Sequence, residues 1–531
     1  MRRVLLYVLL AVLVIPVACN EEQKLELEQL QASLEELQNA DGSAVPQAVV
    51  PALSDGPFAI VFDQQRYGVD AGSSVTVGYT LSEACAVTVS PREGWTATVN
   101  ATGATTGTIT LTAPDPAAPA TFTVTATAEN GKIAAAIIPL IVRDPYTDAT
   151  RTQANLLGYY SLKPQHASEA NFQKLADAGL NMVTVECEDY DFKDQVARAW
   201  KVGMKSLAII GFAGDRWAGD PDNYKYLDEL VGYLKEQPGT LAYHVFDEPS
   251  TDRIPRLKRI REKIESLDPE HPVYINLNPD GSSASLGTTT YRDYIEAFAR
   301  DCGVKFLSFD MYPILTDGTY MQGWHMCLRA VSDMARKYGI PFWAFAASCH
   351  IDNEGGTIVR GRPSVENLRL QAYTDMVYGA QVVQFFTIQQ YGGTTFAPIM
   401  LDGTWTEAYD YLKTACHQIQ KRGYVFNGCS VEDIRFTDSP AIWGDALSQA
   451  NLPQQIESIA ASGTALVSFI ENRGNRYIAM VNQSYTQKIS VEVTFNDMVY
   501  TIEPDGSFTE HRPGSEEFVI DEGDLMVIKY E

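Results

Sequence analysis

The sequence predicts a multidomain protein whose centre is a (β/α)8 barrel, flanked by an N-terminal β-sandwich and a C-terminal antiparallel β-sandwich. The chain has 531 residues, too many for one domain at about 100–200 residues per domain. Across residues 150–425, eight strand-like apolar runs alternate with helical patterns, and about 250 residues is the usual size of this barrel. Short strands with period-two alternation fill residues 56–145 and 426–531. A doubly wound parallel sheet is the alternative for the central region.

Residues 1–19 have the pattern of an export signal. Two arginines precede an apolar run over residues 4–17, and Ala18-Cys19 follows. The apolar run is too short for a stable membrane span, as in secretory signals. The ending Pro16-Val17-Ala18-Cys19 resembles a bacterial lipobox, in which the cysteine is acylated; an ordinary cleaved signal peptide is the alternative. Acylation would anchor Cys19 in the outer membrane, because each buried CH₂ contributes about 0.8 kcal/mol.

Residues 20–55 predict a short coiled-coil stalk and a linker. Four leucines are spaced 3, 4 and 3 residues apart, as on the seam of a coiled coil, and they are Leu27, Leu30, Leu34 and Leu37. A helix this short is marginal alone, so it would act as a stalk or join copies of the chain into an oligomer. The acidic pair Glu21-Glu22 resembles the surface-export tag of lipoproteins in glycan-degrading Gram-negative bacteria, which implies a cell-surface location.

Residues 56–145 predict a β-sandwich, because period-two stretches such as 74–79 and 108–112 are separated by turn signals. The run Val87–Trp95 resembles the Ig-like modules that precede catalytic domains in surface lipoproteins. The resemblance implies a spacer, with glycan binding through Trp95 as the alternative.

Composition and motifs exclude several function classes. Lys and Arg number 41 against 67 Asp and Glu, a formal charge of −26, and so acidic a surface repels nucleic acids. The eight cysteines form no CxxC pair and have no zinc-ligand spacing with the seven histidines. The sequence also lacks a P-loop, a GxGxxG motif after a strand and a GxSxG elbow. We therefore expect no metal and no cofactor.

Polar and aromatic residues recur at the predicted strand ends, where functional side chains of such barrels lie. Aromatic faces can stack on the C–H surfaces of sugars, and carboxylates and amides can hydrogen-bond hydroxyl groups. Trp324 is one further candidate stacking platform, and His244 has a buried core role as its alternative. The candidate substrate-binding residues are Tyr160, Glu186, Trp217, His244, Asn278, Tyr312, His350, Gln389 and Tyr391.

The step Asp247-Glu248-Pro249 at the end of the fourth predicted strand is the sharpest signal. Burial and a neighbouring carboxylate both raise a carboxyl pKa, as a general acid near neutral pH requires. Strand alternation predicts that Asp247 and Glu248 point to opposite sides, one lining the pocket and the other bracing a neighbour. The alternative is a simple cap for the following helix.

This acid–Glu–Pro step, together with Asp310-Met311-Tyr312-Pro313 after the sixth strand, resembles glycoside hydrolases of clan A over residues 155–425. The resemblance implies that Glu248 is the acid/base. In the clan, the residue before this Glu is usually Asn, and a Glu nucleophile ends the seventh strand. This sequence has Asp247 and Ala346-Ala347-Ser348 at those places.

Three residues could supply the second carboxylate: Asp310, Glu186 and Glu354. We favour Asp310, helped by Asp247, as base or nucleophile. A separation of about 5–5.5 Å from Glu248 would favour a retaining enzyme, and about 6.5–9.5 Å an inverting one. A Glu248 with no partner within that range would favour a non-catalytic binding protein. The sequence thus predicts hydrolysis of a glycosidic bond in a polysaccharide or glycan. A non-catalytic glycan-binding protein on the same barrel is the alternative, favoured by the missing acid on the seventh strand.

Overall fold

The computed structural model describes two compact units of the chain, the first within the residues up to 142 and the second beginning at residue 153. The predicted stalk over residues 20–55 and the predicted lipidation site Cys19 lie outside the described residues. Those described are residues 17–18, 59–63, 67–69, 72–92, 94–114, 122–128, 132–138, 140–142, 153–187, 192–211, 225–279, 283–352, 360–438 and 444–530.

Eight parallel strands of the second unit close into a barrel, which confirms the predicted centre of the fold. Each strand pairs with its neighbours in chain order, and the last pairs with the first, Leu157 lying opposite Gln384. In chain order the strands are β1 Asn155–Gly158, β2 Met182–Glu186, β3 Lys205–Ile209, β4 Thr240–Asp247, β5 Val273–Leu277, β6 Leu307–Phe309, β7 Phe342–Ala347 and β8 Val382–Phe386.

A helix follows each barrel strand. Several of these helices begin at a Ser or Thr whose side chain accepts a hydrogen bond from a backbone N–H of the first turn, as Ser168, Thr290, Ser364 and Thr406 do. The helices are α1 Glu169–Asp177, α2 Gln195–Lys201, α3 Lys225–Leu234, α4 Ile254–Leu267, α5 Tyr291–Ala297, α6 Trp324–Tyr338, α7 Val365–Val377 and α8 Glu407–Arg422. Every helix that the structure describes is too short or too polar to cross a bilayer.

Two antiparallel sheets follow the barrel within the same unit. The six-stranded sheet holds, in spatial order, Ser430–Phe436, Ala465–Asn472, Asn475–Asn482, Leu525–Lys529, Val499–Ile502 and Phe508–His511. The three-stranded sheet holds Ile456–Ala461, Ile489–Phe495 and Gly514–Ile520.

Helix α7 is buried on all sides from Asn367 to its end, as expected of a helix with neighbours all round. Toward the barrel, the Gln371 side chain accepts a hydrogen bond from the N–H of Ala347 at 2.9 Å. Toward the C-terminal sheets, Arg369 lies 3.3 Å from the carboxylate of Asp524, which also pairs with Arg422 of α8 at 2.6 Å.

The first unit contains two four-stranded antiparallel sheets and a parallel strand pair. Their apolar faces share one core, and Trp95 packs edge-on against the buried ring of Phe122, with ring centroids 5.2 Å apart. One sheet holds Ile60–Phe62, Ser74–Leu81, Thr106–Thr112 and Thr96–Ala101; the other holds Val17–Ala18, Lys132–Ile138, Phe122–Thr127 and Ala86–Val89; the pair is Tyr67–Val69 with Leu140–Val142.

Candidate active site

Three carboxyl groups converge at the C-terminal mouth of the barrel. Asp247 ends β4, Glu248 follows it, and Asp310 follows β6. The side-chain amide of Asn276 on β5 donates to Asp247 Oδ1 at 3.1 Å and to Asp310 Oδ1 at 2.9 Å. The carboxyl groups of Glu248 and Asp310 hydrogen-bond to each other. We call Asp247, Glu248 and Asp310 the carboxyl cluster.

The backbone of Glu248 explains why both acids of the Asp–Glu step join the cluster. Its φ is +47°, a left-handed conformation that is uncommon outside glycine and clusters at functional sites. The Glu248 N–H donates to the carbonyl of Asn276 at 2.9 Å, and the Glu248 carbonyl accepts from the side chain of Asn278 at 2.7 Å. The turn breaks strand alternation, so the expectation of opposite sides is wrong. Asn278, predicted to bind substrate, holds this turn in place.

Asn276 is the site residue that the sequence analysis missed. The hydroxyl groups of Ser308 and Tyr274 lie 3.1 and 3.4 Å from its Oδ1, so this oxygen accepts and the Nδ2 group faces the carboxylates. Gln384 of β8 extends the network, donating to Ser308 Oγ at 2.9 Å. Alternation along β5 places Tyr274 and Asn276 on the same inner face, and that signal could have found it.

The cluster is built to retain protons near neutral pH. Burial, then the charge of Glu248, raises the pKa of Asp247 to about 7, against a smaller lowering by Asn276. Burial raises the pKa of Asp310 well above its usual range, and the charges of Glu248 and Asp247 raise it further. Glu248 reaches the solvent-exposed mouth, yet the protein crowding its carboxyl group raises its pKa too. The three groups titrate together, and at least one of them remains a carboxylic acid that can donate a proton.

Aromatic side chains flank the cluster. The rings of Tyr160 and Tyr391 are parallel, with centroids 5.0 Å apart and an interplanar angle of 1°. Burial and then the charge of Asp247 raise the pKa of Tyr160, which places this hydroxyl within electrostatic reach of the cluster. Tyr391 is 47% exposed. Phe386 packs against Tyr160 with centroids 5.7 Å apart and stacks on Tyr312 with centroids 5.3 Å apart. These rings give the mouth flat apolar surfaces next to its acids.

Three predicted contact residues are buried in the structure. His244 is wholly buried: its Nδ1 is 3.2 Å from the hydroxyl of Tyr159 and its Nε2 is 2.9 Å from the carbonyl of Phe246. Burial lowers its pKa to about 3, so it is a neutral core group. Gln389 is 2% exposed and its Oε1 accepts from the backbone N–H of Lys163. Trp324, 1% exposed, is a core residue at the start of α6.

The remaining predicted residues lie around the mouth or outside the described part. Glu186 ends β2 and is half-buried, and His350 lies just after β7. Trp217 and Glu354 lie outside the described residues. At the end of β7, Ala346, Ala347 and Ser348 are buried. Within the described ranges, no group of three His, Cys, Asp or Glu side chains is arranged to hold a metal ion.

Fold and site together define a (β/α)8 barrel with a proton-holding carboxyl cluster and aromatic walls at its mouth. The sequence matches no protein-family model and no curated protein.

Among solved structures, the chain is similar to a β-galactosidase from the Antarctic haloarchaeon Halorubrum lacusprofundi, with 13% identity and a TM-score of 0.39, over 52% of this chain and 59% of that one. A cold-adapted β-galactosidase from Rahnella sp. R3 matches at 9% identity and a TM-score of 0.39, over 71% of this chain and 98% of that one. A glycoside hydrolase family 30 xylanase from Clostridium acetobutylicum matches at 12% identity and a TM-score of 0.37, over 71% and 95%. These neighbours are glycoside hydrolases, but similarity at this level does not identify a reaction.

Proposed function

We propose that the barrel hydrolyses a glycosidic bond in a polysaccharide or glycan, with Glu248 protonating the leaving oxygen. The observation that carries this proposal is the position of Glu248. It is exposed at the mouth, yet the protein around its carboxyl group raises its pKa, against a smaller lowering by the hydrogen bond with Asp310. A general acid needs this combination of access and a raised pKa. The stacked rings of Tyr160 and Tyr391 would hold a sugar beside it.

The contact between Glu248 and Asp310 defines the second half of the mechanism. Hydrogen-bonded carboxyl groups are closer together than the separations of about 5–5.5 Å or 6.5–9.5 Å found in retaining and inverting enzymes. We infer that the glycosidic oxygen replaces Asp310 as the hydrogen-bond partner of Glu248 when substrate enters. In this step Asp310 passes the shared proton to Glu248, which delivers it to the leaving oxygen. The resulting Asp310 carboxylate, with Asp247 beside it, then acts as base or nucleophile.

A second candidate function is non-catalytic glycan binding on the same barrel. The buried Ala346-Ala347-Ser348 at the end of β7 favours it, because no carboxylate stands there to attack from the opposite side of the mouth. In that case the acids would hydrogen-bond sugar hydroxyl groups without breaking a bond.

The remaining parts of the chain support a surface location in this proposal. Acylation of Cys19 would anchor the protein at the outer membrane, with residues 20–55 as a stalk that could also join copies of the chain. The first unit would be an Ig-like spacer, and the C-terminal sheets a β-sandwich that supports the barrel. The charge of −26 fits a neutral or hydroxyl-rich ligand better than nucleic acid.

The test compares the protein with Glu248→Gln and with a matched control, Glu270→Gln, an exposed change before β5 at the opposite end of the barrel. Each is incubated with a panel of polysaccharides and aryl glycosides, and new reducing ends are followed. Release by the protein and the control but not by Glu248→Gln supports the hydrolase. Equal release by all three removes Glu248 from the mechanism. No release, with retention on one polysaccharide in an affinity gel, supports the binding protein.

A further inference from the structure

Arg360 is a cation at the mouth that the proposed mechanism does not use. Its backbone N–H donates to the carbonyl of Ile351, after β7, at 2.9 Å, and the residue pairs with Leu315, after β6. The next N–H, of Gly361, donates to the carbonyl of Ile314 at 3.1 Å. Arg360 is thus held between the loops that follow β6 and β7.

The guanidinium of Arg360 is not satisfied by the described residues. Its Nε and Nη1 atoms are buried and have no hydrogen-bond partner there. Arg360 is half-buried. The fully buried arginines of this unit differ from it, since each pairs with a carboxylate: Arg369 and Arg422 with Asp524, and Arg261 with Glu265. Burying a cation without an anion is costly, and burial lowers the pKa of Arg360. The position therefore favours a partner that arrives from outside the described chain.

Arg360 faces the same mouth as the carboxyl cluster. The loops that follow β6 and β7 hold Arg360 at this end of the barrel. Tyr312, two residues after Asp310, is close enough to Arg360 to oppose the lowering of its pKa, and burial, then the charge of Asp310, raises the pKa of Tyr312. Tyr312 is therefore a neighbour of both the cation and the acids. His350, in the loop after β7, adds a second buried nitrogen, Nδ1, without a hydrogen-bond partner among the described residues. Side-chain nitrogens without partners among the described residues thus occupy the β6–β7 side of the mouth, where the acid on the seventh strand is missing.

We propose that Arg360, with His350, forms a subsite for an anionic group of the glycan, either the carboxylate of a uronic acid or a sulfate ester. The planar guanidinium offers parallel N–H donors that match either oxyanion. The subsite would select acidic glycans despite the overall negative charge, because the cation is local and partly shielded from water. This inference rests on the proposed function only in taking the ligand to be a glycan; it requires no hydrolysis.

The test measures binding of the full chain by affinity gel electrophoresis to three polymers. Polygalacturonate carries carboxylates without sulfate, a carrageenan carries sulfate without carboxylate, and a galactan is neutral. The variants are Arg360→Gln, Arg360→Lys and the control Arg362→Gln. Arg362 is an exposed arginine on the same segment whose guanidinium lies 4.9 Å from the ring of Phe396.

We expect the protein to bind one acidic polymer more tightly than the galactan. Arg360→Gln should weaken that binding about 10- to 100-fold, as for loss of a charged hydrogen-bond pair. Arg360→Lys keeps the positive charge but lacks the parallel N–H donors of the guanidinium, so its affinity should lie between those of Arg360→Gln and the parent protein. Arg362→Gln should bind like the parent protein. The acidic polymer that is retained identifies the carboxylate or the sulfate as the ligand group.

The inference is overturned if neither acidic polymer is retained more strongly than the galactan, or if Arg360→Gln and Arg362→Gln weaken binding equally. Arg360→Gln should keep or raise the melting temperature, since it removes an uncompensated charge. A lower melting temperature would indicate a structural role for Arg360. In that case the binding of Arg360→Lys decides whether the guanidinium also contacts the anionic group. Repeating the gels with Glu248→Gln separates the two proposals. Charge-dependent binding without any hydrolysis by the parent protein would refute the hydrolase and leave the anionic subsite intact.

Discussion

The raised pKa of Asp247 makes a thermodynamic prediction that needs no knowledge of the substrate. The folded protein holds this proton up to about pH 7, whereas the ordinary pKa of an aspartate side chain is 3.8. Between these values the unfolded chain binds fewer protons than the folded one, so stability falls as pH rises. When the pH is raised from 5.5 to 8, stability is lost only up to the folded-state pKa of about 7. The loss therefore spans about 1.5 pH units at about 1.4 kcal/mol each, or about 2 kcal/mol in the free energy of unfolding.

Asp247→Asn removes this loss and keeps an oxygen that can accept from Asn276. The free energy of unfolding is measured by denaturant unfolding, followed by tryptophan fluorescence, at pH 5.5 and pH 8. Relative to the parent protein, the variant should be more stable at pH 8 than at pH 5.5 by about 2 kcal/mol. Asp410→Asn, an exposed change in the first turn of α8, controls for the loss of one negative charge. If Asp247→Asn gains no more than Asp410→Asn, the carboxyl cluster does not hold its protons as described.

Three further predictions concern the neighbours of the cluster and the support of the barrel. Asn276→Ala removes the donor shared by two carboxyl groups and should lower the free energy of unfolding at pH 8 by about 3 kcal/mol; a loss below about 1 kcal/mol would show that the amide is dispensable. Tyr391→Ala removes the exposed half of the stack with Tyr160 and should weaken retention on the polysaccharide that the protein binds by about tenfold, whereas unchanged retention would exclude this platform. Asp524→Asn leaves two buried arginines without their carboxylate and should cost about 3–5 kcal/mol in denaturant unfolding, an expectation that an unchanged midpoint would contradict.

The barrel could be predicted because its strands are short apolar runs and the helices between them, apart from α7, have a polar face. The run at 273–277 coincides with β5, and the run predicted at 205–210 differs from β3 by one residue. Such local patterns are repeated along the chain, so errors at single ends do not change the fold.

The site was predicted in part, because alternation fails at functional positions. Glu248 has a left-handed backbone, and a register irregularity lies between His244 and Phe246. Neither follows from local sequence, since both depend on hydrogen bonds to β5. Alternation along β5 could have placed Asn276 on the inner face of the barrel, but its hydrogen bond to Asp310, 34 residues away in the chain, does not follow from local sequence.

The burial of α7 has a consequence for how this protein can be divided. The helix contacts the backbone of Ala347 in the barrel through Gln371, and it contacts Asp524 near the C-terminus through Arg369. A chain cut after residue 425 would keep the helix and its arginines but lose their carboxylate and the apolar cover of the sheets. The barrel and the C-terminal sheets should therefore melt in one cooperative step, and a transplanted barrel would have to carry its sheets with it.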